Sequence, residues 1–185
     1  MDEMAIRKHY EWDGKRFRGF VDIGTEVDED NLPVATEALV LMLVSLNSCW
    51  KLPIGYYLFV GMTRKERASM VNNCFIQLCE VGVAVTSVTC DGAASNQAMF
   101  SELGATISAN KMKAYFAHPS DTNSNVNLLL DVCHMLKLVR NTMASQTIYN
   151  GNKQEITWSY IEKLHKMQQA SLRAGNKLRA AHIDW

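Results

Sequence analysis

Residues 89–96 read TCDGAASN and follow the run VGVAVTSV, so Asp91 stands at the end of a nearly all-apolar segment. An ionised carboxylate is costly to bury without a partner. Two readings meet that cost: Asp-Gly is a turn that stops a strand at the surface, or the acid is held at a strand end because it does chemistry there. A second acid, Asp2, lies in DEM at 2–4. A third group, DVCHMLKLVRN at 131–141, sets Asp131, His134, Lys137 and Arg140 at three-residue intervals. At 100° per residue, Val132, Leu136, Val139 and Met143 fall on one stripe of a helix, and His134, Lys137 and Asn141 on the opposite one. The expectation is a helix capped by Asp131, packed by its apolar stripe, with His, Lys and Asn pointing away from that stripe. A fourth group is basic. Arg7, Lys8, Lys15, Arg16 and Arg18 read as solvated hairpin charge, with weak, salt-sensitive contact to a DNA backbone as the alternative.

The elements that must hold these residues follow from patterning. MAIRKHYEWDGKRFRGFVDIG at 4–24 divides about Asp13-Gly14, a dipeptide favoured in two-residue hairpin turns. TEVDEDNLPVAT at 25–36 is an acidic loop that would repel a nucleic-acid backbone. ALVLMLVSLNS reads as a central strand buried on both faces, and CWKLPIGYYLFVG as a strand broken, or placed at an edge, by Pro53 and Gly55. Thr63 and Glu66 form a capping box, and Met70, Val71, Cys74 and Leu78 give the helix behind it an apolar side as far as Gly82. VAVTSVTC delivers Asp91, and Ser95 is placed to cap a short helix, SNQAMFSEL, stopped by Gly104. KAYFAHP and NVNLLL are strands about a polar loop, HPSDTNSN. After the helix of Asp131, NGNK at 150–153 makes a turn, and Ile156 to Arg179 reads as a polar helix with Trp158, Ile161, Leu164 and Leu172 on one stripe and Gly175 as an interruption. The order predicts an α/β fold, a mixed sheet flanked by helices with a C-terminal helical segment. In such a fold Asp2 and Asp91 meet at the carboxyl edge of the sheet, where ligands bind.

Composition narrows the function. The chain has 185 residues, 48% of them hydrophobic, enough for one domain with a real core or one domain and part of another. Nineteen Lys and Arg balance nineteen Asp and Glu, so attraction to nucleic acid must come from a local patch. Cys49, Cys74, Cys79, Cys90 and Cys133 lack zinc-site or disulfide spacing and read as buried thiols of a reducing compartment. Trp12, Trp50, Trp158 and Trp185 read as packing anchors. The longest apolar stretch, 38–46, is too short for a membrane span, and no signal peptide opens the chain. A soluble intracellular protein is expected.

Three pieces together carry a resemblance: DEMAIRKHYEWDGKRFRGFVDIG (2–24), VTCDGAASN (88–96) and LLLDVCHMLKLVRN (128–141). They resemble, in order, the RNase H-like catalytic region of P-element transposases and the THAP-domain transposase family, over roughly residues 1–145, and the tail resembles the start of that family's GTP-binding insertion domain. The resemblance implies an RNase H-like region over 1–149 and the start of a helical insertion domain over 150–185. It implies a divalent metal, Mg²⁺ or Mn²⁺, held by two aspartates and a glutamate for DNA strand cleavage and transfer. Asp2 and Asp91 take the positions of the two aspartates as catalytic and metal residues; their mutual repulsion without metal suits a cation trap. The D-x-x-H-x-x-K-x-x-R-N signature implies Asp131 and Lys137 beside the nucleotide and His134 and Arg140 near DNA. GTP, transposon-end DNA, a nuclear setting and room for a homo-oligomer follow for the full-length family, with no membrane.

The third acid of that family lies beyond the insertion domain. Neither Glu155 nor Glu162 is assigned its role, and only Met1 precedes the first acid, so the sequence reads as a fragment with strand one clipped and an incomplete active site. Two functions then compete: a transposase catalytic piece inactive by itself, and a domesticated interaction module that keeps the fold without catalysis. A plain nucleotide-binding α/β protein is disfavoured, because no Gly-rich phosphate loop precedes a helix.

Overall fold

The computed structural model describes residues 1–24, 32–108, 110–170 and 178–183. The expected loop at 25–36 falls largely outside the described residues, as do Leu172, Gly175 and Trp185. Two compact units are present, Met1–Asp131 and Val132–Trp185.

The first unit opens with strand β1 (Asp2–Ala5) and a small hairpin of β2 (Glu11–Trp12) and β3 (Phe17–Arg18), paired Glu11 to Arg18 and Trp12 to Phe17. The turn forms where Asp13-Gly14 predicts it. The Asp13 carboxylate accepts from the backbone N–H of Lys15 at 2.8 Å and Arg16 at 2.9 Å, and Gly14 supplies φ +94°. Behind the turn, Gly19 is required: a Cβ there would lie 2.0 Å from the His9 carbonyl oxygen.

Those bonds, first the one from Arg16 and then the Arg18 side chain, lower the Asp13 pKa from 3.8 to about 2. A depressed folded pKa means the turn's stabilisation is complete above the unfolded value of 3.8 and is lost as pH falls through about 2. The Lys15 and Arg16 amide shifts should therefore titrate together in that window; a midpoint near 3.8 would show that the turn contacts are not kept in solution.

Strands β4 (Glu37–Val44) and β5 (Lys51–Phe59) complete an antiparallel sheet in the order β1-β4-β5. β4 is central, as its composition predicts, but it is buried on both faces only as far as Leu41; Met42 and Val44 are exposed. Pro53 sits on the edge strand beside an irregularity in register between Leu41 and Met42, a place that tolerates a missing N–H donor.

Helix α1 (Arg64–Glu80) starts with both halves of the capping box, Glu66 N–H to Thr63 Oγ1 and Thr63 N–H to the Glu66 carboxylate. It ends beside Gly82 at φ +80°. Its fully buried residues are Arg67, Ala68, Val71 and Phe75; of the expected apolar positions Val71 is among them, while Met70, Cys74 and Leu78 are half-buried, a shift set by Phe75, which stacks on Phe116 and on the buried His118.

Strand β6 (Ser87–Cys90) is shorter than VAVTSVTC suggests, and α2 (Ala94–Glu102) follows it. A hairpin of β7 (Thr106–Ser108) and β8 (Lys111–Lys113) precedes β9 (Tyr115–His118) and β10 (Asp121–Leu130). The expected loop HPSDTNSN is mostly strand: β10 begins at Asp121, whose carboxylate accepts from Asn123 N–H and Ser124 Oγ across an irregular stretch of the ladder. Polar residues there stay in water where β10 runs past the pairing with β6, so their composition mimics a loop. β10 runs parallel to β6 and antiparallel to β9. The core lies between this mixed sheet and α1 and α2, through Val71, Phe75, Val88, Met99, Phe100, Phe116, Val126 and Leu128. Cys90 belongs to it, whereas Cys49, Cys79 and Cys133 are exposed thiols, against expectation. Trp12 and Trp50 are likewise exposed.

The second unit holds α3 (Val132–Ser145), a hairpin of β11 (Ile148–Tyr149) and β12 (Glu155–Ile156) about the predicted NGNK turn, α4 (Ser159–Ala170) and a short 3₁₀ turn (Ala180–His182). The helix expected from Ile156 thus begins three residues later, because Glu155 and Ile156 pair with Tyr149 and Ile148. No helix among the described residues is long and apolar enough to cross a membrane.

Candidate active site at the end of strands β1 and β6

The site is built on three strand ends. Parallel pairing sets Leu130 of β10 beside Cys90 of β6, and the Asp131 N–H donates to the Cys90 carbonyl at 2.8 Å. Asp91 and Asp131 therefore leave adjacent strands at the same edge. On the other side of β6, the Met1 ammonium donates to the Thr89 carbonyl at 2.7 Å. That bond sets the start of β1 beside β6, linking the β1-β4-β5 sheet to the separate β6-β10-β9 sheet. Asp2 follows Met1, and Asp91 lies two positions past Thr89, so both acids flank one shared backbone hydrogen bond. Among the described residues no three His, Cys, Asp or Glu side chains converge as a metal-binding group.

Asp91 is half-buried, and its two oxygens differ. Oδ1 accepts from the backbone N–H of Ala93 at 3.1 Å and from Asn96 Nδ2 at 2.7 Å. The first bond closes an Asx turn, so the turn reading of Asp91 holds in part. It also moves the helix start: Ala93, not Ser95, is the N-cap residue of α2, and no side chain caps that helix. Asn96 is 4% exposed on the first turn, and its Oδ1 meets no donor among the described residues. Sequence reading missed Asn96, although its place five residues after Asp91, one helical turn inside α2, is the signal that would have found it. Cys90 is held as a neutral thiol. Burial first and the Asp91 charge second push its thiol up to about 12.

Asp2 is exposed, with Oδ1 accepting from the Glu3 N–H at 3.0 Å. Alternation along β1 turns Glu3 the other way, into a two-pronged pair with Arg67 of α1, Nη1 to Oε2 and Nη2 to Oε1. Arg67 is 3% exposed and its guanidinium also lies over the Phe59 ring at 5.4 Å. The pair ties the strand bearing Asp2 to α1.

His134, Lys137 and Arg140 stand on α3 of the second unit. His134 and Lys137 are exposed, and half-buried Arg140 donates through Nε and Nη2 to Asn141 Oδ1. The apolar stripe expected to be packed is exposed, Leu136 at 64% and Val139 at 56%. Periodicity reports that a helix has an apolar side; it does not supply a surface to cover it.

The architecture has counterparts. Residues 1–104 match the TNP-like, RNase H N-terminal domain. The chain belongs to the TNP-like family. Residues 133–185 match the TNP-like GTP-binding insertion domain. Human DNA transposase THAP9 is 27% identical over 91% of this chain, and the transposable element P transposase of Drosophila melanogaster is 26% identical over 99% of it. The chain spans about a fifth of the length of each, 19% and 22%. The Drosophila P element transposase strand transfer complex shares the fold, with a TM-score of 0.71 at 22% identity over 99% of this TNP-like chain and 39% of that one.

Proposed function

We infer that the chain is part of the catalytic region of a DNA transposase and contributes Asp91 and Asp2 to a divalent-cation site. The observation that carries this is the Asp91 carboxylate: one oxygen is held by two donors and the other meets no donor among the described residues, beside the strand that begins with Asp2. Hard carboxylate oxygens at a strand edge fit Mg²⁺ or Mn²⁺. Such a cation would supply charge neutralisation for an in-line displacement at a DNA phosphate. The protein's share is to fix the carboxylates: Asn96 and Ala93 orient Asp91, and the Glu3–Arg67 pair anchors the strand of Asp2. In the second unit Lys137 and Asp131 at its threshold are assigned to GTP, and His134 and Arg140 to DNA, with a nuclear setting.

A second reading, a module that keeps the fold without catalysis, is favoured by the absence of three convergent ligands among the described residues. Mn²⁺ titration of the 185-residue polypeptide, followed by water-proton relaxation beside a plasmid-nicking assay, separates the two. The expected result is weak binding, with Kd on the order of millimolar for two carboxylates, lost in Asp91→Asn with an unchanged thermal melt, and no nicking. Binding indifferent to Asp91→Asn would leave the non-catalytic reading. Robust nicking lost in Asp91→Asn would show that an acid within these residues completes the site.

A further inference from the structure

We propose that the β2–β3 hairpin is a docking surface for unpaired DNA bases, a surface that rests on the DNA reading above but not on the metal site. Residues 7–18 are all exposed, yet they carry three large aromatic side chains, Tyr10, Trp12 and Phe17, each more than half open to solvent. These rings form a ladder rather than a buried cluster: Trp12 meets Phe17 edge-on at 5.2 Å, and Tyr10 meets Phe17 edge-on at 6.3 Å. Tyr10 also lies 5.8 Å from half-buried Phe20, which joins the ladder to the body of the unit. Two-residue strands are marginal by themselves, and here the turn is stiffened by polar contacts, Asp13 to the Lys15 and Arg16 amides and to Arg18 Nε at 2.6 Å. The exposed rings are thus held in place without being used as core.

Charge selects the partner. Residues 7–18 hold five Lys and Arg against two acids in a chain whose net charge is zero. Arg18 is paired with Asp13, whereas Arg7, Lys8, Lys15 and Arg16 form no ion pair among the described residues. Aromatic faces flanked by free cations match a strand with its bases turned out: rings stack on bases of any sequence and cations meet the phosphates. A duplex offers only phosphates to such a surface, since its bases are already stacked. Two copies meeting through this hairpin would bring like charges together.

The test uses the 185-residue polypeptide, without metal, and two labelled probes followed by fluorescence anisotropy: a 15-nucleotide oligo-dT strand and a blunt 15-base-pair duplex. The single strand should bind more tightly. Trp12→Ala should weaken it about tenfold or more, as loss of one stacking partner does, while leaving duplex binding and the thermal melt unchanged. Trp12→Phe should recover most of the loss. Arg16→Ala should weaken both probes and flatten the salt dependence of log K for the strand by about 0.7, the share of one phosphate. Equal binding of strand by wild type and Trp12→Ala, or no preference for strand over duplex, overturns the proposal. So does self-association abolished by Trp12→Ala without strand binding, which would assign the hairpin to a second copy. Because Mn²⁺ binding at Asp91 is measured separately, either reading can fail without the other.

Discussion

Glu3→Ala should be among the most destabilising single changes in the chain, by about 3–5 kcal/mol, because it leaves the Arg67 guanidinium buried without its partner. The two ends of this pair are not equivalent. Arg67 keeps 4% of its side chain exposed and Glu3 25%, so an orphaned Glu3 can still reach water and an orphaned Arg67 cannot. Arg67 Nε already lacks a hydrogen-bond partner among the described residues, which makes loss of Glu3 costlier. Arg67→Met should therefore cost less, about 1–3 kcal/mol, the scale for leaving one polar partner unmatched. The double change Glu3→Leu, Arg67→Met should return to within about 1 kcal/mol of wild type or exceed it, as apolar replacements of buried ion pairs commonly do. Urea unfolding of all four proteins measures each change against wild type. If Arg67→Met proves more costly than Glu3→Ala, the burial asymmetry is misplaced and the contact with the Phe59 ring outweighs the charge.

This pair also shows where sequence reading stops. DEM was legible as a motif around Asp2, but nothing in a one-dimensional pattern says that the neighbouring Glu3 reaches an arginine sixty-four positions away. The capping box at Thr63 and Glu66 and the Asp13-Gly14 turn were legible because each rests on contacts within a few residues, and the strand before Asp91 because its run is apolar and β-branched, although its partner β10 lies forty positions away. The phase of α1 was not, since Phe75 turns inward to meet Phe116 and His118 on β9, a contact fixed by tertiary packing. The same limit hid the polar first half of β10, which extends past β6 and pairs with β9 alone, and misassigned the apolar stripe of α3, where Leu136 and Val139 stay in solvent.

For the site itself, the type of residue was readable and its support was not. Asp91 stood out because a charge at the end of an apolar run needs explaining. Asp131 read as a helix cap, and its place beside Asp91 emerged only from the parallel register of β6 and β10. Asn96 is polar on a short helix and looked like surface. Its burial follows from α2 packing over the sheet through Met99 and Phe100, which carries the first turn, and Asn96 with it, back over Asp91.

Asn96→Leu should separate stability from metal binding. The Asn96 amide is a mixed asset to the fold. Its Nδ2 donates to Asp91 Oδ1, but its own carbonyl is buried without a donor among the described residues, a loss of about 1–3 kcal/mol for such a group. Leucine has the same branching at Cγ, favours the helix more and carries no polar atom to desolvate. The variant should be at least as stable as wild type, with a melting temperature unchanged or raised by about 2–4 °C for each kcal/mol gained. Asp91 would then be held on Oδ1 by the Ala93 N–H alone and could swing about its Cβ–Cγ bond. A ligand that loses an orienting partner typically loses about 10–100-fold in metal affinity, and Mn²⁺ binding should fall by that order. Ala93→Pro reaches the same carboxylate from the other side: Ala93 sits at φ −58°, which proline adopts freely, so the change removes the second donor with little disturbance of the helix start. Both variants should weaken Mn²⁺ while melting near or above wild type, and Asp91→Asn should mask each of them. Lower stability with unchanged Mn²⁺ affinity would make Asn96 a structural residue of α2 and leave Asp91 oriented by its own turn.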